Sequence, residues 1–252
     1  MDSDAEFNSL EPADWQIVGR IPQSSNNALL IENSGIQGVY KSVRGERPLW
    51  DFPSETLTKR EMQAFLIDRH FGFNLIPSTI WIETDELGPG IIQRFIPNAQ
   101  SSDVRLIGED VDTQDWITVV KGEIDEEEIF LQHTTYEDVF HAAVFDALIN
   151  NSDRKAGHLL RDATKKLWLI DHGVSFHIED KLRTILWGWI GDHIPGSLHE
   201  TLQESLKNSE WRNSWLLNEQ ELEAFESRIK MLLVQGMPEP NSNWPSLPSP
   251  IY

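Results

Sequence analysis

An aspartate, an arginine, a lysine and a histidine occur within six residues near the middle of the chain. They lie in the segment INNSDRKAGHLL (149–160), directly after an apolar, helix-like stretch, and include Asp153, Lys155 and His158. A strand-like run farther on, LWLID, stops at another acid, Asp171. A carboxylate can take a proton from a hydroxyl, a lysine can neutralise a phosphate, and a carboxylate with an imidazole can bind a divalent cation. A solvated helix end would explain the first segment by itself, so the functional interpretation depends on both segments together.

The composition limits the chemistry to a few residue types. The chain of 252 residues contains no cysteine, which excludes disulfides, thiolate metal sites, a cysteine nucleophile and palmitoyl anchoring. Its hydrophobic content of 39% is enough for one large domain or for two lobes with a shared cleft. Any reaction must therefore use Asp, Glu, His, Lys or hydroxyl side chains.

The charge balance argues against several classes of partner. There are 41 acidic and 21 basic residues, a formal net charge of −20. Such a molecule repels nucleic acid and anionic lipid headgroups at long range. The sequence has no apolar run of about 18 residues, and its acidic N-terminus lacks the apolar core of a signal peptide. We therefore expect a cytoplasmic protein with no nucleic-acid partner and no stable membrane anchoring.

The first third of the chain predicts a small antiparallel sheet with one helix. Turn-rich spacers such as PQSSNN and NSG separate the strand-like runs. The helix is predicted over 56–72, where apolar residues recur at helical spacing and Gly72 marks the end. The strands are predicted over 15–21, 28–32, 37–43, 75–84 and 88–96.

The rest of the chain predicts a mainly helical region. Residues 98–132 are polar and acidic, and their densest charge run, GEIDEEE (122–128), is interpreted as a solvated loop or helix face. A capping box from Thr134 to Glu137 predicts the start of a helix that leads into the 149–160 segment. Further helices are predicted over 197–208 and 218–235, followed by a proline-rich end that is extended or disordered. The predicted units are an N-lobe over 13–96, a C-lobe over 97–235 and a tail over 236–252.

A β-rich lobe with one helix, followed by a helical lobe, is the outline of an ATP-dependent phosphotransferase. The segments NSDRKAGHLL and WLIDHGVSFH resemble the catalytic and metal-binding motifs of the phosphatidylinositol 3/4-kinase-like branch of the protein-kinase-like superfamily, in particular the type II phosphatidylinositol 4-kinases. REMQAFLIDRHFGFNLIPSTI and ILWGWIGDHIP are similar to other parts of those kinases, so the resemblance spans roughly residues 15–233. The pattern, including VRGERPLWDFP, also resembles uncharacterised actinobacterial proteins of this kinase class. The resemblance implies an α+β, two-lobed protein-kinase-like fold.

The resemblance also implies a role for each matching residue. Asp153 would accept or orient the proton of the substrate hydroxyl, and Asp171 would bind the metal that bridges the phosphates. Lys41, in GVYK on the third strand, would contact the α- and β-phosphates of ATP, with Glu61 on the helix as its ion-pair partner. Lys155 would reach the γ-phosphate.

Further residues would form the nucleotide pocket. Gln93, Arg94 and Phe95 occupy the expected hinge, where backbone groups would meet adenine. The glycine-rich phosphate loop of protein kinases is missing. Ser25 and Asn26, in the sequence SSNN, could supply backbone and hydroxyl donors in its place.

One position departs from the family pattern. The second metal ligand should be an asparagine five residues after Asp153, and this chain has His158 there. Mg²⁺ prefers oxygen ligands, whereas imidazole suits softer ions such as Mn²⁺. The metal is therefore expected to be Mg²⁺ or Mn²⁺, and magnesium dependence is in question.

Two site residues have a plain structural alternative. Lys41 could be an edge-strand lysine that discourages aggregation. Glu61 completes the sequence TKRE and could serve as a capping residue at the start of its helix.

Three functions are compatible with these residues. The first is an ATP-dependent kinase whose acceptor is a protein or a small molecule in preference to phosphatidylinositol, because the negative charge opposes membrane docking. The second is a pseudokinase that binds nucleotide without turnover, as His158 and the missing glycine loop would indicate. The third is a metal-dependent phosphohydrolase built on Asp153, His158 and Asp171, which would leave Lys41 without a role.

Overall fold

The structure, a computed structural model, describes residues 3–21, 27–109, 113–124, 126–208, 210–213 and 216–252. No helix within these ranges is long and apolar enough to cross a membrane. The elements form an α+β protein of two lobes, one built on an antiparallel sheet and a larger one that is mainly helical. This confirms the predicted fold class.

The N-terminal lobe is a five-stranded antiparallel sheet with strand order β1-β2-β3-β5-β4. A two-residue loop, Ser34 and Gly35, joins β2 to β3, and both residues have positive φ (54° and 82°). This is the conformation that a tight hairpin turn requires. The strands are β1 (Gln16–Arg20), β2 (Leu29–Asn33), β3 (Ile36–Ser42), β4 (Thr79–Thr84) and β5 (Gly88–Arg94), as the sequence predicted. A short helix, α1 (Ser3–Asn8), precedes them.

The helix of this lobe, α2 (Leu57–His70), is attached at both of its ends. The Glu46 carboxylate accepts the first backbone N–H groups of the helix, from Leu57 at 3.1 Å and Thr58 at 2.7 Å. Such a carboxylate satisfies donors that have no partner within the helix. At the other end, Asp68 accepts N–H groups from the chain that leads into β4.

Helix α2 packs on β4 and β5 of the sheet and also on the C-terminal lobe. Its buried apolar residues Ala64 and Ile67 belong to the large core of the C-terminal lobe, whereas the sheet has a separate core around Trp15 and Ile92. On its first turn, Arg60 is 2% exposed and is directed to the C-terminal lobe.

Arg60 makes two contacts there. Its guanidinium donates to the Ser175 carbonyl oxygen at 2.7 Å and pairs with Glu221. Helix α2 is thus bound firmly to the larger lobe.

The glutamates of the charge run 122–128 are exposed, as predicted, but the run lies at the end of a β-hairpin and is not a loop or a helix face. Strands β6 (Val104–Ile107), β7 (Trp116–Ile124) and β8 (Glu127–Thr134) form a separate antiparallel sheet of order β6-β8-β7. The acidic residues lie at the exposed end of the β7–β8 hairpin, where Glu123 pairs with Glu128. Strand β8 is exposed on both faces at this end and buried on both faces over 130–134, so it lacks the alternation by which a strand is usually recognised.

The predicted capping box at Thr134 was also wrong. Thr134 ends β8, and its hydroxyl donates to Asp103 at 2.8 Å. The next helix, α3 (Glu137–Ile149), begins after Tyr136, which makes no side-chain cap. Thr134 therefore belongs to the sheet, and its hydroxyl does not cap the helix.

The C-terminal lobe is completed by two more helices and a short hairpin. These are β9 (Leu159–Arg161), β10 (Leu167–Leu169), α4 (Gly196–Lys207) and α5 (Glu219–Gln235). Helix α5 has the capping box that α3 lacks, formed between Asn218 and Glu221. The proline-rich residues 238–252 contain neither helix nor strand and lie along this lobe, with Leu247 and Ile251 packed against its core.

Candidate active site

The centre of the site is a lysine held between two carboxylates from different elements. Lys41 Nζ on β3 lies 3.1 Å from Oε1 of Glu61 on α2 and 2.5 Å from Oδ1 of Asp171. Strand β3 lies between β2 and β5, which excludes the edge-strand alternative for Lys41. Thr56 is the N-cap residue of α2, so Glu61 does not serve as a cap. The sequence therefore identified all three members of the cluster.

The charges of this cluster stabilise one another. Burial opposes the charged form of Lys41, but Asp171 and Glu61 outweigh it and hold the lysine pKa above its ordinary value. Burial would likewise raise the pKa of Glu61, but Lys41 and the contacts with His172 lower it to about 2. Lys41 also holds the pKa of Asp171 well below its usual range. All three groups are charged at neutral pH.

The backbone around Asp171 is fixed by close contacts with α2. Asp171 has a positive φ of 58°, and the next N–H, from His172, donates to Glu61 Oε2 at 2.8 Å. At Gly173 a Cβ atom would lie 3.2 Å from the Leu57 carbonyl oxygen, tighter than most contacts of real Cβ atoms. Glycine is needed there because the chain passes so near the start of α2.

A buried ion pair supports the segment that carries Asp153. Helix α3 ends at Asn150 in a left-handed conformation, and the chain then turns so that Arg154 reaches back to Asp146. Both side chains are fully buried, with Arg154 Nη2 2.9 Å from Asp146 Oδ1. The Arg154 guanidinium also donates to the Ile170 carbonyl oxygen at 2.9 Å, directly before Asp171. The pair therefore ties the Asp153 loop to the Asp171 segment.

Asp146 was missed in the sequence. It occurs in AAVFDALI, and its Oδ1 also accepts a hydrogen bond from Asn151 at 3.0 Å. A single carboxylate among apolar helix residues was the available signal, because an unpaired charge is seldom buried.

Asp153 and Lys155 form an ion pair at 3.1 Å (Nζ to Oδ2). The Asp153 backbone N–H is held by Asn151 Oδ1 at 3.0 Å. Burial raises the pKa of Asp153; Lys155 opposes this shift, while Asp171 adds to it. A carboxylate with a raised pKa is a stronger proton acceptor, which suits a group that receives the proton of a hydroxyl.

His158 lies beside Asp171, with Nε2 3.5 Å from Oδ2. Burial lowers the pKa of His158 to about 4, so the ring is neutral at pH 7. The Lys155 N–H donates to Nδ1 at 3.4 Å, which leaves the ring proton on Nε2. Binding of a cation at Nε2 therefore requires the proton to leave that nitrogen.

The pair of His158 and Asp171 fits one divalent cation only in part. Their separation is compatible with two ligands of one ion. In the described part of the chain, however, no three His, Cys, Asp or Glu side chains group in a way that could hold a metal. A cation there would need further ligands, such as phosphate oxygens and water.

The predicted adenine contacts are only partly supported. The N–H groups of Arg94 and Phe95 are already bonded to the carbonyl oxygens of Ser78 (2.8 Å) and Gln37 (3.0 Å). Neither is free to bind adenine, because the end of the sheet uses both. The Gln93 side chain is buried and donates to Thr79.

The predicted phosphate-loop residues cannot be placed. Ser25 and Asn26 lie outside the residues that the structure describes.

Comparison with known proteins gives a sequence relative and a structural one. No protein-family model matches the chain. It is 34% identical over 280 residues to a protein of Mycobacterium tuberculosis, Protein Rv2133c, in a match that covers 99% of this chain and 96% of that protein. A crystal structure of a Helicobacter pylori proinflammatory kinase, CtkA, aligns with 88% of this chain and 92% of its own, at 10% identity and a TM-score of 0.47. The sequence match extends through both lobes.

Proposed function

The chain belongs to the family of Protein Rv2133c, and we propose that it is an ATP-dependent phosphotransferase of the phosphatidylinositol 3/4-kinase-like type. It would transfer the γ-phosphate of ATP to a hydroxyl group of a protein or small-molecule acceptor.

The observation that carries this proposal is the position of Lys41 between Glu61 and Asp171. A β3 lysine, a helix glutamate and an acidic residue at a strand end are the parts that hold and neutralise the phosphates in kinases. Here the glutamate and the aspartate both lie within 3.1 Å of the Lys41 ammonium, although Lys41 and Asp171 are 130 residues apart in the chain. Folding alone does not require these three charges to meet, and the Asp171 side chain remains half exposed.

Asp153 and Lys155 would act on the two reacting groups. The raised pKa of Asp153 favours acceptance of the hydroxyl proton. Lys155 Nζ, 3.1 Å from that carboxylate, would neutralise the transferring phosphate when the acceptor separates the two side chains.

Asp171, together with His158 once its Nε2 is free, would hold the divalent cation, which when bound neutralises charge on the ATP phosphates. In its absence the Lys41 ammonium takes up the charge of Asp171. Nucleotide binding would move Lys41 toward the phosphates and release the carboxylate for the cation.

The acceptor is proposed to be a protein or a small molecule because the segment after Asp171 offers little charge to a polyphosphorylated headgroup. Of its two fixed cations, Lys181 is 1% exposed and its ammonium contacts Asp51 at 3.0 Å. Arg183 is the other, and acidic residues Glu179 and Asp180 precede them both. Neutralising several phosphates requires several free cations.

A pseudokinase is the second candidate. Two observations favour it. The proton on His158 Nε2 weakens the proposed metal site, and the occupied N–H groups at the hinge weaken the proposed adenine site. A metal-dependent phosphohydrolase is the third candidate and has less support, since Lys41 would have no role in it.

The test is phosphate transfer from γ-labelled ATP, with Mg²⁺ and with Mn²⁺, to the protein itself and to a mixture of peptide and small-molecule acceptors. Asp153→Asn should reduce transfer by about a hundredfold or more, the usual scale for a lost acid–base group, and should retain ATP binding. Asp171→Asn should lose transfer and most of the ATP binding. Asp192→Asn, at an exposed position, is the control and should match wild type.

The three candidate functions give different results in this test. ATP binding without transfer or hydrolysis under any metal would establish the pseudokinase. Metal-dependent release of phosphate from a phosphomonoester without ATP would establish the hydrolase.

A further inference from the structure

Lys181 is a buried cation enclosed by residues from three distant parts of the chain. Its ammonium lies 3.0 Å from Asp51 Oδ2, 4.1 Å from the ring centre of Trp244 and 5.1 Å from that of Trp50. The two indole rings are stacked, with centres 6.4 Å apart. We call these four residues the Lys181 cage. A cation against tryptophan faces and a carboxylate is strongly held when it is removed from water.

The cage joins three segments that lie far apart in the chain and that also meet through hydrogen bonds of His177 with Asp51 and of Asn241 with Asp180. Trp50 and Asp51 lie between β3 and α2, Lys181 lies in the segment after Asp171, and Trp244 lies in the proline-rich residues 238–252. Trp50 is 84% exposed, and Trp244 is the nearer aromatic contact of the Lys181 ammonium. The cage therefore attaches the proline-rich segment to the C-terminal lobe at Trp244.

Beyond Trp244, the backbone of the proline-rich segment binds the segment that follows Asp171. The carbonyl oxygen of Ser246 accepts hydrogen bonds from the Thr184 N–H at 3.1 Å and the Trp187 indole at 2.9 Å. Thr184 in turn donates its hydroxyl to Asp146 at 3.2 Å.

The same segment also binds the Asp153 loop directly. The carbonyl oxygen of Ile251 accepts the Ala156 N–H at 2.9 Å, three residues after Asp153. One residue after Asp153, the Arg154 N–H donates to the carbonyl oxygen of Arg183, the residue before Thr184, at 3.0 Å. Both Arg154 and Ala156 are fully buried, so these donors would have no water to replace a lost partner.

We propose that the proline-rich segment is a positioning element of the active site, anchored by Trp244 on Lys181, and that it holds the loop carrying Asp153 in its working geometry. The loop has little regular structure of its own, and it depends on acceptors from outside. This inference rests on the proposed function because the loop is the proposed catalytic loop. Trp244 and Lys181 touch neither ATP nor acceptor in this scheme and are positioning residues.

Hydrogen exchange of the full chain, followed by mass spectrometry, tests the positioning itself. Trp244→Ala should speed exchange about tenfold or more in the peptides covering 154–158 and 183–187, while strands β3 and β5 keep their protection. Trp244→Phe keeps an aromatic face over Lys181 and should restore most of the protection. Tyr252→Phe changes the same segment away from the cage and should leave both peptides unchanged.

Turnover supplies the second measurement. Trp244→Ala should lower kcat by about tenfold or more and change the KM for ATP by less than about twofold, because a displaced Asp153 affects reaction more than nucleotide binding. Trp244→Phe should recover kcat.

The exchange and turnover results test the positioning role separately from the proposed function. Unchanged exchange at both peptides in Trp244→Ala, or faster exchange with kcat intact, would overturn the inference. If Trp244→Ala loses protection throughout the chain, the experiment uses Trp244→Leu instead, because leucine keeps apolar bulk over Lys181. Faster exchange in the peptides covering 154–158 and 183–187 is then expected for Trp244→Leu. If wild type transfers no phosphate, the proposed function fails, and the exchange pattern still shows whether the segment positions the loop.

Discussion

The ammonium of Lys41 and the carboxylate of Asp171 are in direct contact at 2.5 Å, although 130 residues separate them in the chain. One belongs to a strand of the N-terminal sheet, and the other follows a strand of the C-terminal lobe. The contact joins the two lobes at the proposed phosphate site. Because the one ammonium faces the carboxylates of both Glu61 and Asp171, the cluster keeps an excess of one negative charge.

Lys41→Met should weaken nucleotide binding. In wild type, ATP with Mn²⁺ at 100 times its dissociation constant stabilises the fold by about 2.7 kcal/mol, a rise in Tm of about 5 to 10 °C. A tenfold loss of affinity would halve this to about 1.4 kcal/mol. Differential scanning fluorimetry with and without ATP measures the shift for each variant against its own baseline.

Lys230→Met is the matched control, because Lys230 is an exposed lysine on α5 that pairs with Glu226, away from the proposed site. Its ATP shift should equal that of wild type. An equal shift in Lys41→Met would remove Lys41 from the phosphate site.

His158→Asn should change the metal preference. Wild type is expected to favour Mn²⁺ over Mg²⁺, since nitrogen is a better ligand for Mn²⁺. The variant should lower the ratio of the two kcat/KM values by about tenfold, the lower end of the effects seen when groups around a metal are changed. An active variant with the wild-type ratio would show that His158 only hydrogen-bonds Asp171 and the Lys155 N–H.

Asp146→Ala should destabilise the protein by about 3 to 5 kcal/mol, because Arg154 would remain buried and unpaired. Urea unfolding measures this free energy. Glu204→Ala removes the partner of Lys207 in an exposed pair and should cost about 0.5 kcal/mol or less. Adding Arg154→Met to Asp146→Ala should recover part of the lost free energy of unfolding, because no buried charge remains unpaired. If Asp146→Ala were not destabilised and the double variant showed no recovery, Asp146 would not be the support of the loop.

His133 should make stability depend on pH. Its Nδ1 donates to the Thr134 carbonyl oxygen at 2.9 Å, and Nε2 accepts the Gly188 N–H at 3.0 Å, so a second ring proton would oppose that N–H. Burial lowers the pKa of His133 to about 4, below the value of about 6.5 expected in the unfolded chain. The unfolded chain therefore binds more protons between these values, and stability falls as the pH drops from 6.5 to 4.

His133→Gln tests this dependence. Glutamine can still accept the Gly188 N–H but does not titrate, so the variant should lose up to about 3 kcal/mol of the stability difference between pH 7 and pH 4. Unfolding curves at several pH values would show the difference in slope. Parallel curves for wild type and variant would mean that other groups cause the pH dependence.

The strands of the first sheet, helix α2 and the Lys41 cluster could be predicted because their signals are local or occur in a fixed order along the chain. Lys41 and Glu61 lie in a recognisable strand and helix, Asp171 follows a recognisable strand, and the resemblance supplied their pairing. The sheet over 104–134 could not be predicted in the same way, because β8 is exposed on both faces at its start and buried on both faces over 130–134, so its sequence does not alternate.

Other features depend on contacts that no single segment contains. The Lys181 cage forms because the fold brings Trp50, Asp51 and Trp244 together, and no local sequence pattern predicts these contacts. The N–H groups of Arg94 and Phe95 were expected at an open hinge, and only the pairing of neighbouring strands shows that they are occupied.

The attachment of α2 to the C-terminal lobe decides which parts of the protein can move as a unit. Arg60 bonds to Ser175 and Glu221, and Ala64 and Ile67 lie in the core of that lobe. Helix α2 also packs on β4 and β5 of the sheet, so it bridges the two lobes. The His172 N–H donates to Glu61, and we therefore expect Glu61 and the Asp171 segment to keep their spacing when the lobes move.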